Sequence, residues 1–401
     1  MKEKRIPNAL RQADKRYREE AAPGRRTSGR PGWIGWAAAA ACLGLIAGVL
    51  FVIFRPGKTR PDIYADLPQI AIPAYENGGM GFEGLMYYSA EELENGNPWR
   101  EDMALETLPV FRNGSYDPSG AGVPIGLNEA EMTAELEKAA EALGLEILGV
   151  ETETDETKSG DGTVIPGETA YAVRATTDNG GLTVYANSRL VYDLPQGHAL
   201  PAMYRFTYHD TSDAEAAAVM AYLTETYASF LNFGHPVTAL QGDYTFSGDY
   251  IRRYLVYDAG SDAVESILNY CFRMAQFAPD DSGNLMAIGL NDGLRMAEKL
   301  GDYPLISPAE AKEKLLNGNY QTSVPVGMPG EEYIAKTELI YRTGPGEEIL
   351  LPYYRFYAEL KDGDGWQMTQ RNGLKTYGAY YVPAVQDAYI SDMPTYDGHF
   401  N

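Results

Sequence analysis

Twenty-two consecutive residues without a charge, Trp33 to Phe54, constrain this chain more than any other feature. They read W-I-G-W-A-A-A-A-A-C-L-G-L-I-A-G-V-L-F-V-I-F. A helix of that length measures about 33 Å, which matches a hydrocarbon core of roughly 30 Å. The sequence therefore predicts one transmembrane helix over residues 33–54. Lys and Arg number six in residues 13–32 and three in residues 55–74, so the amino terminus is expected inside. Trp33 and Trp36 fall at the inner boundary, where indole rings prefer to sit. The small residues 37–41 could suit a signal-peptidase site, but the apolar run continues for twelve residues beyond Cys42, too far for cleavage there. A lipoprotein signal is excluded as well, because Ala39 stands where a larger aliphatic residue is needed.

Residues 1–32 form the expected cytoplasmic tail, with ten basic against four acidic side chains. Ile6, Leu10, Ala13, Tyr17 and Ala21 recur at helical spacing, and Pro23-Gly24 closes the pattern. This predicts a short amphipathic helix for the inner leaflet or a cytoplasmic partner. The stretch from Arg5 to Pro23 resembles a leader that precedes the anchor in many clostridial membrane proteins, some of them anti-sigma-factor-like.

The remainder, 55–401, carries 23 basic and 52 acidic residues. Such a surface repels nucleic acid and anionic lipid, so neither is expected as a partner. Cys42 lies in the anchor and Cys271 alone outside it. No disulfide can form within the outer region, and no multi-cysteine zinc site can be built.

Residues 55–126 are rich in Pro and Gly and read as a stalk and irregular segment packed on the first lobe, apart from a strand over 69–74. Asn128 and Glu131 then make a capping-box pattern, with Met132, Leu136, Ala139, Ala140 and Leu143 on one face and Gly144 as the stop. Strands are expected over 145–152, 169–177 and 182–192, the last two joined at Asp178-Asn179-Gly180-Gly181. Ser212 and Glu215 open a second helix, followed by strands over 237–246, 250–257, 267–277 and 285–290. Ser307-Pro308-Ala309-Glu310 opens a third, before strands over 333–342, 349–360, 365–369 and 375–383. The expected fold class is α+β. A single amino-terminal transmembrane helix precedes tandem helix-plus-antiparallel-meander lobes, a first over 127–209 and a second region over 210–401 with two such units.

Motifs of chemistry do not emerge. His198, His209, His235 and His399 lack metalloprotease spacing, and neither G-x-S-x-G nor Ser-x-x-Lys occurs. The runs Asp362-Gly363-Asp364-Gly365 and Asp280-Asp281-Ser282-Gly283 break the calcium-loop pattern and read as hairpin turns. No catalytic residue, metal ligand or cofactor is therefore assigned. Tyrosine is the unusual side chain, at 30 against 12 Phe and 4 Trp. In the run from Leu351 to Tyr357, alternation puts Tyr353, Arg355 and Tyr357 on one face and Tyr354 and Phe356 on the other. With Phe356 marking the core, Tyr353, Arg355 and Tyr357 become the candidate partner-binding residues, and Pro352 marks an edge strand.

The segments D-Y-P-L-I-S-P-A-E-A-K-E-K-L-L-N-G-N-Y (from Asp302), I-L-L-P-Y-Y-R-F-Y (from Ile349) and Y-Y-V-P-A-V (from Tyr380) resemble the YycH/YycI-type and PepSY-like group of membrane-tethered external proteins of Gram-positive bacteria. That resemblance implies an anchor helix, tandem α+β lobes and, for YycH/YycI members, regulation of a sensor kinase in the membrane; it carries over no catalytic residue. The expected function is a non-enzymatic extracytoplasmic binding, sensory or regulatory accessory with a protein partner in the membrane or envelope. The alternative is an envelope hydrolase using paired carboxylates, which need only meet in space.

Overall fold

A computed structural model of the chain describes residues 67–72, 87–118, 122–158, 164–245, 248–324, 326–360 and 374–398. The expected anchor over 33–54, the tail helix, the strand over 365–369, the turn at 362–365 and His399 lie outside these residues. Among the described residues no helix is long and apolar enough to cross a membrane. The fold is α+β, dominated by antiparallel sheet with few helices.

The first strand, β1 (Thr107–Asn113), falls where irregular structure is expected. Helix α1 (Glu129–Leu143) begins at the expected cap: Asn128 Oδ1 accepts the Glu131 N–H at 3.0 Å and Glu131 Oε2 accepts the Asn128 N–H at 2.9 Å. Such a cap contributes about 1 kcal/mol. Gly144 ends the helix at φ 67°, a left-handed geometry that suits glycine. Strands β2 (Ile147–Lys158), β3 (Val164–Thr177), β4 (Gly180–Tyr185) and β5 (Leu190–Ala199) follow as an antiparallel meander. The hairpin expected at Asp178-Asn179-Gly180-Gly181 forms between β3 and β4, with a turn of only Asp178-Asn179, because Thr177 pairs with Gly180 and Thr176 with Gly181. The single strand expected over 182–192 is instead two, because the chain reverses between β4 and β5 with Ser188 at φ 65°.

Ser212 and Glu215 cap α2 (Asp213–Thr226), which is followed by the single turn α3 (Ala228–Leu231). Strands β6 (Pro236–Tyr244) and β7 (Tyr250–Asp258) pair antiparallel. The strand expected over 267–277 is a correction: residues Ala263–Phe272 form helix α4, and only Met274–Pro279 is strand, β8. Asp262 accepts the Glu265 N–H at 2.9 Å, and Val264, Ile267, Leu268 and Cys271 follow at helical spacing into the core. With β9 (Asn284–Leu290) the second meander is complete. The last strands of the two meanders pair, Leu190 opposite Leu290 and Tyr192 opposite Ile288. One sheet results, of eight strands among the described residues, in the order β2-β3-β4-β5-β9-β8-β7-β6. Its halves are related like two hands meeting at the fingertips, and α1 and α2 each cover one half over a shared core containing Leu136, Val219 and Phe277.

Strand β10 (Ala297–Pro304) returns to pair with β1. Helix α5 (Pro308–Leu316) starts at Ser307, whose hydroxyl accepts the Glu310 N–H at 3.2 Å. After it come β11 (Gln321–Thr322), β12 (Ile334–Tyr341), β13 (Ile349–Leu350), β14 (Pro352–Glu359) and β15 (Tyr377–Pro383). The strand expected over 349–360 splits at Leu351: β13 joins β1, while β14 sits between β15 and β12. Pro352 is thus the first residue of an inner strand, not an edge marker, a position where its missing N–H is tolerated. The segment before β1 packs not on the first meander but on this last sheet, where Tyr87 bridges to Tyr377 and Ile70 to Ile390.

Candidate functional site

Tyr353, Arg355 and Tyr357 do share one face of β14, as alternation requires, but that face is not exposed. Tyr353 and Tyr357 are 1% accessible and Arg355 is 8% accessible. The last sheet is covered on both sides. Tyr354, Phe356 and Tyr380 pack towards α5, while Tyr353, Tyr357 and Tyr381 pack under Ile70, Ile72, Leu93 and Ile390. The expectation of a tyrosine partner surface is therefore corrected. It failed because the covering segment comes from residues some way from β14 in sequence that look structureless by periodicity.

Under that cover lies a buried polar junction. Glu338 Oε1 accepts from Arg355 Nε at 2.7 Å and from the Tyr357 hydroxyl at 2.8 Å, and Asn95 Nδ2 donates to Oε2 at 3.1 Å. Lys336 Nζ stands 3.5 Å from Glu338 and also donates to the Leu93 carbonyl. The Asn95 carbonyl in turn accepts from Gln241 of β6 at 2.6 Å and from the Tyr270 hydroxyl of α4 at 3.1 Å. These groups satisfy one another and tie the covering segment to two sheets. Their role is structural.

Open space appears elsewhere, where the two meanders join. A groove of about 290 Å³ lies between α1 and α3, over the neighbouring ends of β4, β5 and β9. Glu135, Lys138, Ala139 and Ala142 all line it from one face of α1. The two alanines leave the room that larger side chains would fill. Phe230, Leu231, Val184, Leu190 and Leu290 supply apolar walls. Arg273, which follows α4, and Arg295 and Asp292, from the connection between β9 and β10, bring charge to the rim. Asp292 also lines a neighbouring recess of about 260 Å³ on its other side.

Three further observations single out this groove. Among the described residues, the non-glycine residues with positive φ are Ser188 at 65° and Asn232 at 49°, and both line it. Asn232 is the left-handed cap of α3, a geometry asparagine tolerates, whereas Ser188 carries backbone strain of the kind that gathers at functional sites. The Ser188 hydroxyl is buried without a hydrogen-bond partner, which is costly unless something completes it. Burial also pushes the Asp292 carboxyl above the usual carboxylate range, against the pull of Arg273 and Arg295, and Glu135 pushes it the same way. Glu135 itself is held by Arg295 at 3.0 Å, and Arg273 donates to the Asn232 carbonyl at 3.2 Å.

Sequence reasoning assigned none of these residues. The groove draws on five separated stretches of chain, and only the small residues on one face of α1 leave a trace in the sequence. Other sequence candidates resolve simply. His209 is exposed, with Nδ1 2.8 Å from the Tyr250 carbonyl. The turn at Asp280 closes on itself, its carboxylate accepting from the Ser282 and Asn284 N–H groups at 2.9 and 2.8 Å. Burial pushes the Cys271 thiol up to about 12, so it stays protonated. Among the described residues no three His, Cys, Asp or Glu side chains group as metal ligands.

No family model and no curated protein matches this chain. A solved structure of an uncharacterized protein from Eubacterium rectale ATCC 33656 aligns over 73% of this chain and 86% of that one, at 10% identity and a TM-score of 0.30. A likeness at that level carries no argument about activity.

Proposed function

We propose that this chain is a membrane-anchored extracytoplasmic binding protein, a sensory or regulatory accessory whose ligand seats in the groove between α1 and α3. The uncharged run from Trp33 to Phe54 with its basic inner flank supports the anchor. The acidic balance of 55–401 supports a soluble domain outside. The resemblance to the YycH/YycI-type and PepSY-like group supports tandem helix-plus-meander lobes behind such an anchor and a partner within the membrane or envelope. The observation that carries the reading is the groove itself, a concave apolar space with a few converging polar groups.

The alternative of a hydrolase rests on Glu135 and Asp292 lining one groove. It has less support, because Arg295 already holds the Glu135 carboxylate at 3.0 Å. A general base needs a free lone pair aimed at substrate.

Melting the full-length protein in detergent against a panel of small acids, amines, zwitterions and neutral compounds tests the binding reading. At least one compound should raise the melting temperature of the wild type but not of Ala142→Leu, which fills the groove. A panel without effect, or one acting equally on both, would sink it.

A further inference from the structure

We infer that the ligand of this groove is a compact monoanion, a single carboxylate on an apolar body; this rests on the binding reading above. Lys138, Arg273 and Arg295 bring three positive charges to the groove against two negative from Glu135 and Asp292. The outer region as a whole has more than twice as many acidic as basic residues, so the groove reverses the local sign. One negative charge balances that excess; a polyanion would meet the repulsion of the surrounding acidic surface.

Arginine favours carboxylate because its planar fork matches the two oxygens. Arg295 already contacts one carboxylate here, Glu135 at 3.0 Å. Arg273 spends one donor on the Asn232 carbonyl and stacks over Phe233 at 5.2 Å, which fixes the guanidinium at the groove wall. Ser188 offers a hydroxyl whose bond is unmade. Behind these lie Leu231 and Leu290, which favour an apolar body over a second polar head. The volume, about 290 Å³, sits at the small end of ligand pockets, which run from roughly 300 to 1,000 Å³. Binding therefore brings a charge-assisted contact at the rim and burial of a short hydrocarbon portion inside.

Calorimetry on the full-length protein in detergent tests this with three probes of one shape: hexanoate, hexanamide and hexylamine. Hexanoate should bind about tenfold or more tighter than hexanamide, the loss expected when a charged partner becomes neutral, and hexylamine should not bind. Lys138→Gln, on an exposed helix position, and Arg273→Gln should each weaken hexanoate several-fold. Asp292→Asn, which removes a competing carboxylate, should tighten it. Melting curves of the variants establish that they are folded. Hexanamide binding as well as hexanoate, no hexanoate binding, or indifference to both Lys138→Gln and Arg273→Gln would overturn the ligand class. If hexanamide then binds the wild type and Ala142→Leu abolishes it, the groove is still a binding site and only the ligand class fails. If Ala142→Leu changes no probe, both fail together.

Discussion

Glu338 and Arg355 face each other across neighbouring strands β12 and β14, register partners whose charged groups meet at 2.7 Å with the carboxylate wholly out of water. Removing one partner strands the other, a loss of about 3–5 kcal/mol. Glu338→Gln and Arg355→Met should each show it in urea melts, while Glu338→Leu with Arg355→Met should recover only part of the loss, because the Tyr357 hydroxyl and Asn95 lose their acceptor. Burial alone would raise Glu338, but Arg355, Lys336 and the hydrogen bonds outweigh it and hold it below 4.5. A depressed carboxyl stabilises the fold above its unfolded value and loses that contribution as pH falls through the folded one. The wild type should therefore shed stability below about pH 4.5 more steeply than the double variant. Parallel acid curves would refute the linkage.

The tyrosines of β14 should report as core. Tyr357→Phe forfeits a bond to a charged acceptor at 2.8 Å, about 1.5–3 kcal/mol. Tyr353→Ala should lose about 3–5 kcal/mol, as large buried aromatic truncations do. Unchanged melting in Tyr353→Ala would restore the partner-surface idea.

Asp292 carries the opposite sign from Glu338. Its folded carboxyl is raised by burial, so its favourable contribution is complete below the unfolded value and fades as pH rises through the folded one. Asp292→Asn is neutral at every pH. Its stability relative to the wild type should climb as pH rises above about 4 and level off once pH has passed the raised folded value. A flat difference across that window would contradict the raised carboxyl.

Ser307→Ala should destabilise by about 1 kcal/mol, the usual loss for a helix cap, because the hydroxyl and Glu310 satisfy each other's backbone. The check is a shift in the urea midpoint without a change in slope.

The proposed anchor over residues 33–54 predicts sidedness. Protease added to intact protoplasts should digest residues 55–401 and spare the basic tail. A fragment lacking 1–54 released without protease would mean cleavage of a signal instead.

Local signals were legible in the sequence. The caps at Asn128, Ser212 and Ser307 form where the side chains announce them, because capping is settled within four residues. Alternation along β14 was legible too, since Tyr353, Arg355 and Tyr357 do share a face. What covers that face was not. Ile70, Leu93 and Ile390 show no periodicity, and one-sided burial was the simpler reading. Residues 263–272 mislead for a related reason: short apolar runs fit helix and strand alike until Asp262 is recognised as a cap. The groove was invisible because Glu135, Ser188, Asn232, Arg273 and Asp292 meet only after β5 and β9 have paired.

The bridge between Ile70 and Ile390 also sets an order of events. Gln69 donates to the Ala388 carbonyl 319 positions later, so the seat of this early stretch is completed only when nearly all the rest has been synthesised. Contacts of such separation form late and slowly. A growing chain would finish the β2–β9 sheet first, then hold the tyrosine-rich face of β14 bare until residues near 390 arrive. That interval, rather than the finished molecule, is when the chain is most open to misassembly and to chaperones.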